Sequence, residues 1–228
     1  MLKKGKQKMT NNKLIEGKFE IETLQTWDNK HYLHPWAELS DGKTDFGVLN
    51  KAKGIYLYDK KGKQYIDGPG GMWCISVGYG RNEIAEAVSN QLNKLPYTSP
   101  WSSTTEPSTL LAKKISDKTP GDLNNVFFST CGSTAVDTAI RFVHFYFNIK
   151  KKPNKKVIIS REKAYHGSTY LSASVSGKER DKRYLDTEEK LVKFLPDVNP
   201  YIRPDGTSTD EWCDRKVHDL QNCINLVG

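Results

Sequence analysis

Val126-Phe127-Phe128-Ser129-Thr130-Cys131-Gly132-Ser133-Thr134-Ala135-Val136-Asp137-Thr138-Ala139-Ile140 is the stretch on which the reading of this chain turns. Val126 to Phe128 reads as a buried strand, and the residues from about Ser133 to Phe147 read as a helix. Between them a small Gly132-Ser133 step delivers the chain directly to the helix N-terminus. There the first backbone N–H groups have no intrahelical partner and the dipole is positive, a setting that favours a bound anion. Gly132 allows close backbone approach, and the hydroxyls of Ser133 and Thr134 are expected to donate to phosphate oxygens. The same step caps many helices that bind nothing, so by itself it leaves both readings open.

Working outward, the strand Lys156 to Ser160 follows the helix, and Leu171 to Val175 reads as a further strand. Strand, helix, strand in this rhythm implies an α/β fold with a parallel or mostly parallel sheet. Lys163-Ala164-Tyr165-His166-Gly167-Ser168-Thr169 lies just past the strand that follows the helix. In an open parallel sheet ligands collect at the carboxyl ends of the strands, so this segment and the Gly132-Ser133 step are expected at one edge. Tyr165 offers a flat face for a planar ring and Gly167 leaves room beside it.

Upstream, Gly54 to Asp67 reads as a hairpin with an Asp/Lys/Gly turn, closing on the loop Gly68-Pro69-Gly70-Gly71. Trp73 sits among glycines just after it, where pocket lining and ordinary packing are both open. Asn82 suits the cap of one helix and Pro107 the first turn of another. Residues 19–40 read as a short helix and an extended arm broken at His34-Pro35-Trp36. From Asp210 on, Val217, Leu220, Ile224 and Val227 form one helical stripe.

Composition removes several function classes. The 228 residues are 36% hydrophobic and 11% aromatic, enough for a packed core. Lysines 3, 4, 6, 8, 13 and 18, set against Glu16, account for +5 of the formal +8 charge, so the basic balance belongs to a tail and no nucleic-acid partner is expected. Cys74, Cys131, Cys213 and Cys223 form no CxxC pair and have no neighbouring His cluster, so neither a disulfide framework nor a metal site is expected. No window is apolar enough for a membrane span, and the chain reads as soluble and cytoplasmic. No GxGxxG follows an expected strand, which argues against a nicotinamide-cofactor enzyme.

Taken in order, the aromatic arm ending in His34-Pro35-Trp36, the hairpin closing in Asp67-Gly68, Trp73-Cys74 followed by Gly78-Tyr79-Gly80-Arg81, the Gly132-Ser133 turn and Tyr165-His166-Gly167-Ser168-Thr169 resemble class III, omega-type aminotransferases. The resemblance runs from about Trp27 to the end of the chain. It implies a fold-type I enzyme with pyridoxal 5'-phosphate as cofactor, a small-molecule amine donor, a keto acid acceptor such as pyruvate, and a homodimer. Gly132 and Ser133 would then bind the cofactor phosphate. Tyr165 would stack on the pyridine ring, His166 would support that turn, and Trp73 and Trp36 would line the substrate pocket. The family usually reads Ser-Gly-Ser-Glu-Ala where this chain has Cys131-Gly132-Ser133-Thr134-Ala135, so the role of the acidic residue is in question here.

The resemblance also implies an organisation: a basic tail over 1–18, an arm and hairpin of the small domain over 19–68, and the first part of the cofactor-binding large domain over 69–228. The Schiff-base lysine and the aspartate that holds the pyridine nitrogen are expected beyond Gly228, so the chain alone is expected to be inactive. A catalytically incomplete module that binds a phosphate ligand or a subunit is the alternative.

Overall fold

The computed structural model describes residues 19–35 and 47–227. The basic tail expected over 1–18 and Trp36 of the arm lie outside the described residues. The chain divides between Thr104 and Thr105 into two compact units.

In the first unit, helix α1 (Ile21–His31) ends before His34-Pro35, and His34 Nε2 pairs with Asp28 at 2.9 Å. Three antiparallel strands follow: β1 (Leu49–Lys53), β2 (Tyr56–Asp59) and β3 (Gln64–Ile66), in that order across the sheet. The expected hairpin is the β2–β3 pair. Its turn is held by Asp59 Oδ1, which accepts the backbone N–H groups of Lys61 and Lys63, both at 2.9 Å. β1 adds an outer strand with a bulge between Leu49 and Lys51 that the sequence reading does not contain. Gly54 and Tyr79 exchange backbone hydrogen bonds at 3.0 and 2.8 Å, tying the sheet to the segment after the glycine loop. In α2 (Asn82–Lys94) Asn82 is the first helical residue and Arg81 the cap, one position from the expectation.

The second unit begins with α3 (Glu106–Ser116), whose Pro107 occupies the first turn as expected. Helix α4 (Gly132–Ile149) is followed by β4 (Ile158–Arg161), α5 (Tyr170–Ser174), a single turn at Glu179–Lys182, β5 (Val192–Leu195) and α6 (Thr209–Val227). β4 and β5 pair in parallel, Ile158 opposite Val192 and Arg161 opposite Leu195. Ile140 of α4 packs with Val175, Leu191 and Val192, flanked by Val136, Ile158, Leu171 and Phe194. Ile140 and Val136 are four residues apart and so share one helix face, which places that face over the sheet.

Two expectations fail here. Leu171 to Val175 is part of helix α5 and its C-cap, not a strand. Thr169 and Ser172 form a capping box, with Thr169 N–H donating to Ser172 Oγ at 3.1 Å, and the hydroxyls of Ser174 and Ser176 donate back to carbonyls four residues earlier. The polar half of the Leu171 to Val175 alternation is therefore buried serine serving its own helix, not the wet face of a strand. Val126 to Phe128 is neither a strand nor buried: Phe127 is 66% exposed, and no strand among the described residues lies alongside to pair with it. Instead its ring meets Phe142 of α4 edge-on, with centroids 5.8 Å apart. On α6, Val217 and Ile224 of the expected stripe stay exposed, and Cys223 and Val227 border the groove beside Phe194 and Leu195 of β5.

Candidate active site

The start of α4 and the loop after β4 meet directly. The backbone N–H of Ser168 donates to Ser133 Oγ at 3.1 Å, across 35 residues of sequence. A hydroxyl that accepts one bond still has its own O–H to donate, so Ser133 can hold the loop and an anion together.

The contact is possible only because residue 167 is glycine. Gly167 is buried with φ +135°, and a Cβ there would lie 2.4 Å from Ser172 Oγ and 2.5 Å from Ser133 Oγ. The loop is fastened along its whole length. His166 N–H donates to Ser176 Oγ at 2.9 Å, Gly177 N–H to Ala164 O at 2.8 Å, and the Lys163 ammonium pairs with Asp197, just past β5, at 3.1 Å. That ammonium is the main reason the Asp197 carboxyl titrates below its ordinary range, with the Asn199 N–H adding to it. Tyr165 is 44% exposed, and its hydroxyl bonds Ser168 Oγ at 2.9 Å. Its ring is thus tied to the residue that touches the helix start.

At that helix start, Cys131 is the cap and both Cys131 and Gly132 are exposed. Thr134 does not offer its hydroxyl outward, as the sequence reading expects. It accepts the Cys131 N–H at 3.2 Å and donates to Cys131 O at 3.0 Å. A Glu or Gln three residues past a cap makes the same reach back to the cap N–H, so threonine performs that structural task without a charge. The side chain of Thr134, and then the backbone N–H groups of Thr134 and Ser133, hold the Cys131 thiol below its ordinary pKa. The backbone N–H groups of this helix start are the ones an anion there would meet. A pyridoxal phosphate fits these residues: its ester phosphate would lie on the Gly132 and Ser133 N–H groups and the Ser133 hydroxyl, with Tyr165 available to its ring. The donor set is uncharged apart from the helix dipole, with Gly132 exposed and Ser133 half-buried, so an anion can approach from the Gly132 side.

Of the residues named from sequence, Gly132, Ser133, Tyr165 and His166 are brought together in the second unit. Trp73 belongs to the first unit. There Gly70, Gly71, Met72 and Trp73 make one left-handed turn with φ of 58°, 59°, 55° and 68°. Such a turn is costly for non-glycine residues and persists where its surroundings hold it. Asp67 Oδ2 does so, accepting the Gly71 N–H at 2.8 Å and the Tyr79 hydroxyl at 2.7 Å. Trp73 is 79% exposed at the end of this turn. Asp67, Asp137, Thr169 and Ser176 are the residues the sequence reading does not single out. The Thr169-x-x-Ser172 capping signature and the four-residue spacing of Ser133 and Asp137 are the signals that could have found two of them.

The aminotransferase class-III family profile matches residues 40–226. A putrescine–pyruvate aminotransferase of Pseudomonas aeruginosa is 37% identical over 208 residues, 90% of this chain and 45% of that protein. A vanillin aminotransferase of Capsicum frutescens is 40% identical over 185 residues, 79% of this chain and 40% of that protein. Among solved structures, an (S)-enantioselective omega-transaminase from Thermomicrobium roseum superposes with a TM-score of 0.88 at 27% identity, covering 92% of this chain and 47% of that one. The omega-transaminase of Pseudomonas jessenii in complex with PMP gives 0.86 at 31% identity, covering 90% and 46%. The chain spans a little under half the length of the curated relatives it matches. Fold-type I geometry and pyridoxal phosphate dependence are common to this group. With the family profile spanning most of its length, the chain belongs to the class III aminotransferases.

Proposed function

We propose that the full-length protein carries out pyridoxal-phosphate-dependent transamination, moving an amino group from a primary amine or omega-amino acid of the beta-alanine, taurine or putrescine type to pyruvate or another keto acid. The observation that carries this reading is the contact between Ser133 and Ser168, which sets an anion-binding helix start beside an aromatic ring on a fastened loop. When bound, the cofactor supplies the electron sink that labilises the proton beside the amine. The chain's own residues bind and orient it. Gly132 and Ser133 hold the phosphate, Tyr165 stacks on the ring and His166 supports the loop through its backbone, while the family resemblance assigns Trp73, and Trp36 outside the described residues, to the substrate pocket. The putrescine–pyruvate relative supports pyruvate as acceptor.

The Schiff-base lysine and the pyridine-nitrogen aspartate are assigned to no residue of this chain, and the 228 residues alone are expected to form no product. A homodimer is part of the same proposal. Phe142, Phe145 and Ile149 are 55%, 62% and 63% exposed on α4, apolar surface that further protein would cover. So is a cytoplasmic location; no helix among the described residues is long and apolar enough to cross a membrane.

The test is alanine formation from pyruvate by the full-length protein, with beta-alanine, taurine and putrescine offered in turn. Alanine that depends on added pyridoxal phosphate is the expected result. Cofactor-loaded protein that transfers nothing to pyruvate or other keto acids from any of the three donors overturns the proposal.

A further inference from the structure

We propose that Asp137 is the positioning residue that sets the distance between the phosphate end and the ring end of the cofactor site. The role rests on the reading of that site given above. Asp137 lies one turn beyond Ser133 on α4, so the two side chains share a helix face with Cβ atoms about 6 Å apart. Ser133 Oγ takes the N–H of Ser168 at 3.1 Å. Asp137 Oδ1 takes the Thr169 hydroxyl at 2.7 Å and the Ser172 N–H at 2.9 Å. Two adjacent residues of the loop, Ser168 and Thr169, are therefore pinned to two successive turns of the helix.

The bonds of Lys163, Ala164 and His166 hold the front of the loop; beyond them, one pin would leave Ser168 free to turn about Ser133, shifting the hydroxyl end of the Tyr165 ring through the 2.9 Å bond between Tyr165 Oη and Ser168 Oγ. Two pins remove that rotation. The charge argues the same way. A carboxylate one turn above an anion-binding helix start repels the anion it stands behind, so its presence weakens phosphate binding unless it does something else. Its bonds show what that is. It accepts from the cap residue of α5 and from the third N–H of that helix, the end where a negative charge is favoured. Asp137 thus holds the loop through the start of α5 and touches no part of the phosphate site itself.

The experiment measures the affinity of the full-length apo-protein for pyridoxal phosphate and, separately, for inorganic phosphate, in wild type, Asp137→Ala, Asp137→Asn and Thr169→Val. Loss of a charge-assisted bond in Asp137→Ala is expected to weaken pyridoxal phosphate about tenfold or more. Inorganic phosphate, which needs only the helix start, should stay within about twofold of wild type or bind more tightly. Asp137→Asn keeps the acceptor oxygen and should restore pyridoxal phosphate affinity to within about threefold. Thr169→Val removes the Thr169 hydroxyl bond from the loop side and, where Asp137→Ala does not fold, should likewise weaken pyridoxal phosphate while leaving inorganic phosphate within about twofold. Cofactor affinity unchanged in both Asp137→Ala and Thr169→Val, or both ligands weakened by the same factor, or no rescue by asparagine, overturns the role. Wild-type protein that takes phosphate but not pyridoxal phosphate defeats the functional reading first, and the role of Asp137 with it.

Discussion

Ser168 donates its backbone N–H to the hydroxyl of Ser133, so the second residue of α4 is bonded to the loop that carries Tyr165. Because the two lie 35 residues apart in sequence, the contact exists only when β4, α4 and the loop have all docked. It is a tertiary contact that also assembles the candidate site.

Replacing Ser133 by alanine leaves the Ser168 N–H without this acceptor and removes a phosphate donor, while sparing the helix N–H groups. A single bond of this kind contributes about 1 kcal/mol net, and more where the acceptor is charged. Pyridoxal phosphate affinity in Ser133→Ala is expected to fall about tenfold, read by equilibrium dialysis. An affinity within about twofold of wild type would remove the hydroxyl from the site.

Gly167→Ala should be worse. The added Cβ meets two hydroxyl oxygens at 2.4 and 2.5 Å on a backbone with φ +135°, so the loop must lift off the helix start. Overpacking of this kind costs about 1–3 kcal/mol, and the strained φ adds a similar amount. Urea unfolding should show that loss together with weakened cofactor binding, and full stability in Gly167→Ala would contradict the close approach.

Much of this arrangement is legible in the residue types. The Gly132-Ser133 step, the hairpin turn at Asp59 and the loop after β4 all announce themselves through residues whose local chemistry leaves few alternatives. Where tertiary partners decide, local pattern misleads. Leu171-Ser172-Ala173-Ser174-Val175 alternates like a strand, yet Ser172 and Ser174 are buried at 0% and 1% exposure by bonds to their own helix. Val126 to Phe128 has the composition of a core strand, and composition cannot supply a neighbour to pair with. Asp137 reads as one more polar residue on a helix until the loop 32 residues later is seen to end on it.

The Cys131 thiol offers a pH test. Hydrogen bonding from Thr134, then from the backbone N–H groups at the helix start, lowers its pKa, so the thiolate forms at lower pH than in a free cysteine. Alkylation of Cys131 by iodoacetamide should therefore rise with pH through a midpoint below the ordinary thiol value. Thr134→Val should move that midpoint up. Inorganic phosphate should slow the reaction, since its charge opposes the thiolate and competes for the same N–H groups. A midpoint at the ordinary value, or indifference to phosphate, would contradict the helix-start electrostatics.

Ile140→Ala separates stability from binding. Ile140 is 5% exposed against Val175, Leu191 and Val192, two turns away from Ser133. Truncation in such a core costs about 2–5 kcal/mol. Thermal unfolding should register the loss while phosphate affinity at the helix start, measured well below the transition, stays within about twofold.

The most direct test of the central claim is a crystal structure of the full-length protein with pyridoxal phosphate bound. The account predicts phosphate oxygens about 3 Å from the backbone nitrogens of Gly132 and Ser133, with the Tyr165 ring stacked on the pyridine. A phosphate held elsewhere, or a heterocycle that Tyr165 does not touch, would contradict it.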